Sequence, residues 1–208
     1  MFSRYAEGSG SAAKFNKIRS SVFFSPTKLI IADKDNDCLR LIDFATNPPS
    51  TTRFAGTCET SGLVQGQRLS DAQLAFPTSI AISSDNSILY FIDNNEKGFR
   101  EINLESDEVK LIKTFSEPIV EILFYNNALY AIVDSVKVIK IDVETFNDEI
   151  IAGGNLTGNA TGLFSKTRLG NVQAFICWPD SQEQLFLATD KINKRFDKTS
   201  IQIREFVV

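Results

Sequence analysis

LIIADKDNDCLRLID, Leu29 to Asp43, and LYFIDNNEKGFREIN, Leu89 to Asn103, are the stretches that decide the fold. Each runs a leucine and three apolar residues into an aspartate, turns, and returns through a second apolar run with an arginine at the same place, Arg40 or Arg100. The leading motif recurs as LYAIVD, Leu129 to Asp134, and LFLATD, Leu185 to Asp190. Asp33, Asp93, Asp134 and Asp190 therefore repeat at intervals of roughly 40 to 60 residues, the period of a propeller blade. The returning runs are CLRLID, FREIN, VIKID and, more weakly, the Arg195–Phe196 region.

These runs are short, rich in Ile, Val, Phe and Tyr, and bounded by Asn, Asp, Gly, Ser or Pro, which is the chemistry of strands and turns. Helical periodicity is nowhere sustained. In the second repeat the strands are predicted at Ser79–Ile82, Ile88–Ile92, Phe99–Asn103 and Val109–Lys113, with turns at SSDNS, DNNEKG and LESDE. LYFI, LYAIV and LFLA are apolar at successive positions, as expected of strands covered on both faces. The pattern predicts an all-β propeller of about four blades, each of four antiparallel strands, over residues 6–57, 58–115, 116–154 and 155–208 of a single domain. A two-sheet sandwich is the competing all-β architecture.

Composition narrows the function. At 208 residues, 43% apolar and 23% charged, the chain can bury a core. No apolar run is long enough for a membrane span, and MFSRYAEGSG lacks a secretory signal's hydrophobic core, so an exported form would have lost its targeting segment. A net charge of −4 and a pI near 5.0 argue against nucleic-acid binding. Lys191, Lys194, Arg195 and Lys198 read as a solvated turn, with a local basic face as the alternative. Histidine is absent, which removes the usual general base, the Ser-His and Cys-His pairs and most catalytic zinc sites. Carboxylates, Lys, Tyr and Cys remain, enough for a carboxylate-based hydrolase.

Three glycine-rich loops complete the repeat: AEGSGSAAKF (Ala6–Phe15), SGLVQGQRLSDAQLAF (Ser61–Phe76) and GGNLTGNATGLF (Gly153–Phe164). FAGT (Phe54–Thr57) precedes the second and IAGG (Ile151–Gly154) the third. With FAGTC, AQLAFPTSIAI, LIIADKDNDCLRLID and LYFIDNNEKGFREIN, the chain resembles the NHL-repeat β-propellers, strongly over 6–115 and weakly over 116–208. It departs from the family in having no Asn-His pair, no glycine-rich loop ahead of the third blade, and one extra residue between Leu and Asp in the third and fourth. The resemblance implies a scaffold whose faces bind proteins; basic-face RNA binding and metal-dependent lyase chemistry are disfavoured by the charge and the missing histidines. Family discs commonly carry about six blades, so the four here are expected to close as a small ring, pair with another chain or form part of a larger disc.

The repeated residues carry two readings each. Asp33, Asp93, Asp134 and Asp190 collect calcium in an axial channel or, as the favoured structural role, cap turns through neighbouring amides. Arg40, Arg100 and Arg195 are partner contacts or structural pairs to carboxylates and carbonyls. No phosphate-loop signature follows any strand. Trp178 and Pro179 read as a strand end and turn.

Cys38 and Cys58 bracket one hairpin. Opposing them pairs Leu41 with Ala55, Ile42 with Phe54 and Asp43 with Arg53, which brings a disulfide within reach. In the second repeat the place of Cys38 is taken by Gly98 and the last strand has no cysteine, so both members are missing together. Two reduced buried thiols are the alternative, and Cys177 is left over. Asn155 and Asn159 each begin an N-x-T sequon. Disulfide and sequons together predict a secreted, extracellular or lumenal glycoprotein, with the cytoplasm as alternative. The reading is a non-enzymatic module that binds a protein partner, without nucleic acid, membrane span, cofactor, metal or catalytic residue, and that self-associates if its disc is incomplete. A carboxylate- or calcium-dependent propeller hydrolase is the alternative.

Overall fold

The computed structural model describes residues 5–153, 171–177, 184–191 and 200–207, the last three segments through their backbone. The chain divides into two compact units, Met1–Pro118 and Ile119–Val208.

The first unit holds two antiparallel sheets. β1 (Gly8–Ser9), β2 (Ile18–Ser25), β3 (Lys28–Asp33), β4 (Cys38–Asp43) and β5 (Ser50–Ala55) lie in the order β1-β5-β4-β3-β2. β6 (Gly66–Gln67), β7 (Ile80–Ile82), β8 (Ile88–Asp93), β9 (Gly98–Asn103) and β10 (Glu108–Thr114) repeat it as β6-β10-β9-β8-β7. In the second unit β11 (Ile119–Tyr125), β12 (Ala128–Val133), β13 (Lys137–Ile141) and β14 (Asp148–Gly153) are neighbours in chain order. So are β15 (Asn171–Cys177), β16 (Gln184–Lys191) and β17 (Ser200–Val207). The class is all-β and propeller-like; among the described residues the only helical turns are the 3-10 segments Gly10–Ala12 and Lys34–Asn36.

Two-sided burial of β8 and β12 explains their unbroken apolar runs. Leu89, Tyr90, Phe91 and Ile92 are all buried, as are Leu129 to Val133. On one face of the first sheet, Ile30, Ala32, Leu39 and Phe54 pack with Leu74, Ile80, Leu89, Phe91, Ile102 and Val109 of the next repeat in a single core. Ser20 Oγ reinforces the join by accepting the Ile80 N–H at 3.2 Å, and Lys34 pairs with Glu96 at 3.6 Å.

Three details differ from the sequence reading. The first two sheets carry five strands, because each glycine-rich loop returns along the outermost strand and adds two residues, Gly8 opposite Thr51 and Gly66 opposite Val109. The run that returns along β16 is IQIREFVV, β17, and not the Arg195–Phe196 region. The β4–β5 register is also shifted: Arg40 faces Arg53, Leu41 faces Thr52, Ile42 faces Thr51 and Asp43 faces Ser50, with Leu39 meeting Ala55 across a bulge. The cysteines misled because they are not partners in the ladder. β5 stops at Ala55, Gly56 turns the chain at φ +83°, and Cys58 returns to the start of β4 from beyond the strand end. A Cβ on Gly56 would stand 2.8 Å from Leu74 Cγ, so the tight turn requires glycine twice over.

Candidate functional site

The aspartate and arginine of the deciding stretches meet inside the first two sheets. Strand pairing sets Ile31 opposite Arg40 and Phe91 opposite Arg100, so each arginine lies two rows in from its aspartate, on the same face of the sheet. Arg40 Nη1 donates to Asp33 Oδ2 at 3.1 Å and Arg100 Nη1 to Asp93 Oδ2 at 2.9 Å, with all four side chains buried. The rest of each guanidinium fork holds the glycine-rich loop. Arg40 donates to the carbonyls of Lys14 at 3.2 Å and Ala6 at 2.8 Å; Arg100 donates to those of Gln73 at 2.9 Å and Val64 at 2.8 Å.

Each fork spans two residues already joined through the backbone, since Lys14 N–H donates to Ala6 at 3.0 Å and Gln73 N–H to Val64 at 3.1 Å. The arginine thus closes the neck of a loop, using the bidentate reach a lysine lacks. Nε of both arginines is buried without an acceptor. Aromatic faces stand in: the Arg40 guanidinium lies 4.5 Å from the Tyr5 ring centre and 5.3 Å from that of Phe15, and Arg100 lies 5.6 Å from Phe91.

The two aspartates differ in support. Asp33 accepts the Asn16 amide at 2.7 Å and Asn36 Nδ2 at 2.8 Å besides its arginine. Asp93 Oδ1 is buried with no hydrogen-bond partner of good geometry, and Glu96 replaces Asn36 in its turn. Burial pushes the Asp93 carboxyl up, to about 6, against the downward pull of Arg100 and, weakly, of the Ala75 amide. Gly98 belongs to this arrangement, because a Cβ there would come 2.5 Å from Asp93 Oδ1. At its counterpart Cys38, fully buried, the side chain turns to Cys58, with the two sulfurs bonded and the Cα atoms 5.0 Å apart.

The four aspartates do not share one role. Asp33 and Asp93 answer arginines rather than the backbone amides of their own turns. Asp134 lies exposed in a turn at φ +49°, and in its sheet the row of the arginine is filled by Ile139, opposite Ala131. Asp190 pairs through its backbone with Asn171 and Ile201 inside a strand. Cys177 stands opposite Leu185 at the end of β15. Asn155, Asn159, Trp178, Pro179, Lys194, Arg195 and Lys198 lie outside the described residues.

Turn capping falls instead to other residues. Asp43, Asp85, Asn103 and Asp142 accept amides two or three residues ahead, at Ala45, Ser87, Glu105 and Thr145 among others. Bonds from Ser83 and Ser87 hold the Asp85 carboxyl down, at about 2, and the Thr145 and Glu144 bonds lower Asp142. Sequence reasoning also missed Glu7 and Gln65, whose Oε1 atoms accept the Arg53 and Leu111 amides at 2.7 and 2.8 Å. The signal was present as Glu7-Gly8 and Gln65-Gly66, one polar residue before each strand-forming glycine. Among the described residues no three His, Cys, Asp or Glu side chains are grouped to hold a metal, and no helix is long and apolar enough to cross a membrane.

Solved structures share this architecture. Hydrazine synthase of Kuenenia stuttgartiensis matches 98% of the chain at 11% identity with a TM-score of 0.56. The WD40 β-propeller domain of Doa1 matches 97% at 11% and 0.54, and an auxiliary nutrient binding protein from Bacteroides thetaiotaomicron matches 97% at 14% and 0.53. The fold is that of a β-propeller. The chain spans about half the length of these proteins, with 53%, 54% and 57% of each covered, and such low identity speaks for fold alone. No protein-family model matches the chain. No curated protein sequence matches it either.

Proposed function

We propose that this chain is a non-enzymatic β-propeller scaffold of the NHL type that presents its loops to a protein partner in an extracellular or lumenal compartment. The supporting observation is where the repeated charges go. In the first two sheets Asp33–Arg40 and Asp93–Arg100 are sealed inside and fasten the necks of glycine-rich loops, leaving no repeated charged residue facing solvent for chemistry. The second loop, with its neck clamped at Val64 and Gln73, turns Leu63, Val64 and Leu69 outward at 51%, 47% and 43% exposure. Apolar side chains on a fastened loop suit partner contact, since rigid display lowers the ordering cost of binding. The Cys38–Cys58 disulfide supports the oxidising compartment.

The experiment immobilises the whole chain and exposes it to secretory and cytosolic fractions of its source cells, with heat-unfolded chain as control. A protein bound saturably by the folded chain, and lost on Leu63→Asp/Leu69→Asp, is the expected outcome. Turnover of ester or glycoside substrates that depends on added calcium, together with a calcium-induced rise in Tm, would overturn it in favour of a hydrolase.

A further inference from the structure

In the first two sheets the chain covers its own outer edge. Gly8 pairs with Thr51 while Glu7 Oε1 accepts the Arg53 N–H at 2.7 Å; Gly66 pairs with Val109 while Gln65 Oε1 accepts the Leu111 N–H at 2.8 Å. The rows of the three sheets correspond. Leu29, Ile42 and Thr51 stand side by side, as do Leu89, Ile102 and Val109, and Leu129, Ile141 and Asp148. Asp148 and Ile150 thus occupy the places of Thr51 and Arg53, and of Val109 and Leu111.

Among the described residues no strand lies outside β14. The connection from Thr114 to Ile119 is too short to send a loop back along the sheet, as the glycine-rich loops do elsewhere. By the alternation of an antiparallel ladder, the Ile150 N–H points outward like those of Arg53 and Leu111. Ile150 is 50% exposed, close to the 47% of Leu111. Beside this edge a cleft of about 340 Å³ is lined by Lys140, Asp142, Thr145, Asn147, Asp148 and Glu149, three carboxylates to one ammonium. Phe146, at φ +55°, repeats the turn position of Asp107, at φ +59°, which in the second sheet receives Arg68 of the covering loop at 2.6 Å.

We propose that the outer edge of β14 is a strand-addition site for an extended segment of a partner protein: a Gln or Glu that accepts the Ile150 N–H, then a glycine opposite Asp148, then a basic residue over the acidic cleft. The proposal rests on the scaffold reading and names the partner's chemistry. Main-chain pairing supplies the affinity and the flanking side chains the selectivity. The acidic rim and the bulge between Val138 and Ile139 are the features that keep indiscriminate strands off an edge, and they admit a basic segment.

The chain contains its own probe. Fluorescein-labelled LVQGQRLS, the Leu63–Ser70 segment, carries acceptor, glycine and arginine in that order. Titrated into the full chain and followed by anisotropy, it should bind saturably. Ile150→Pro removes only an outward N–H, a change tolerated at a sheet edge, and should weaken binding by about tenfold or more. Ile150→Ala keeps the N–H and should stay within about threefold, and Glu149→Lys should weaken binding by about tenfold. Hydrogen exchange of the Ile150 amide in the unaltered chain gives a readout independent of any variant: fast alone, slowed by about tenfold or more with the peptide.

No saturable binding, binding indifferent to Ile150→Pro, or an Ile150 amide already protected in the free chain, as when a segment of this chain covers the edge, would each overturn the site. Partner capture that survives Ile150→Pro would leave the scaffold reading standing and remove this one alone.

Discussion

Replacing Arg100 by valine, β-branched and apolar like Ile139 at the matching row of the third sheet, tests the clamp in the second. The change leaves Asp93 buried without its cation and takes the arginine's donor from the Gln73 carbonyl, whereas the Val64 carbonyl keeps the Gln73 amide. Removing one member of a buried ion pair costs about 3–5 kcal/mol, and an unmet buried acceptor adds about 1–3 kcal/mol. The two do not sum, because Asp93, already pushed up to about 6, takes a proton more readily once the guanidinium is gone. A cost of about 4 kcal/mol is expected at pH 8, and about 1 kcal/mol less at pH 5, where the neutral carboxyl needs no cation. Asp93→Ala with Arg100→Val removes the stranded charge as well and should recover about 1–2 kcal/mol at pH 8. Urea unfolding followed by far-UV circular dichroism reads these differences, and hydrogen exchange at residues 63–73 reads release of the loop neck. Arg100→Val within about 1 kcal/mol of the parent at both pH values, or a double variant no more stable than the single at pH 8, would refute the clamp.

Asp93 also predicts a pH dependence. Its folded carboxyl lies above the ordinary value of 3.8, so the stability it contributes is complete below about pH 4 and is lost as pH climbs toward 6. The parent's Tm should fall relative to that of Asp93→Asn across this window and run parallel above it; parallel curves throughout would refute the assignment. Asp85 has the opposite sign, with a folded value of about 2, so its contribution is present above about pH 4 and lost between 4 and 2; an NMR titration midpoint near 4 would contradict it. Cys38→Ala/Cys58→Ala opens a loop with a sequence separation of 20, which should cost about 3 kcal/mol in urea unfolding, and free thiols at both positions in the unreduced protein would remove the bond altogether. Gly56→Ala meets both φ +83° and the Leu74 side chain, and should cost about 1–3 kcal/mol.

The strands were legible because burial on both faces writes itself as an unbroken apolar run. LYFI and FREIN became β8 and β9, and the turns SSDNS and LESDE fell where Ser, Asp and Asn can fold back on their own amides. The recurrence of aspartate and arginine was equally visible, and the arginines pair with carboxylate and carbonyls as their chemistry allows. Side-chain reach across a sheet was not. Asp33 belongs with Arg40 because strand pairing sets Asp33 against Cys38 and Ile31 against Arg40, and neither contact follows from spacing alone. The hairpin register failed for a related reason: a disulfide constrains two Cα positions, and a chain that turns at Gly56 satisfies it without Cys58 being in the strand.

The third sheet gives the repeat its physical logic. A buried guanidinium is tolerated when a carboxylate and several carbonyls receive it, and in the first two sheets those carbonyls come from the glycine-rich loop. Where no such loop precedes the sheet, an arginine in the same row would be buried with too few acceptors. Ile139 fills that row, and Asp134, with no cation to meet, faces solvent. Loop, arginine and buried aspartate are therefore lost as one unit, since keeping any of them alone would strand a charge or a donor. The same loss leaves the outer edge of β14 without a covering strand among the described residues, because the segment that supplied carbonyls to the arginine in the other two sheets also supplied the covering strand. An economy in the interior thus sets the chemistry of the edge: an outward amide at Ile150 beside an acidic cleft, the two features on which the proposed strand addition rests.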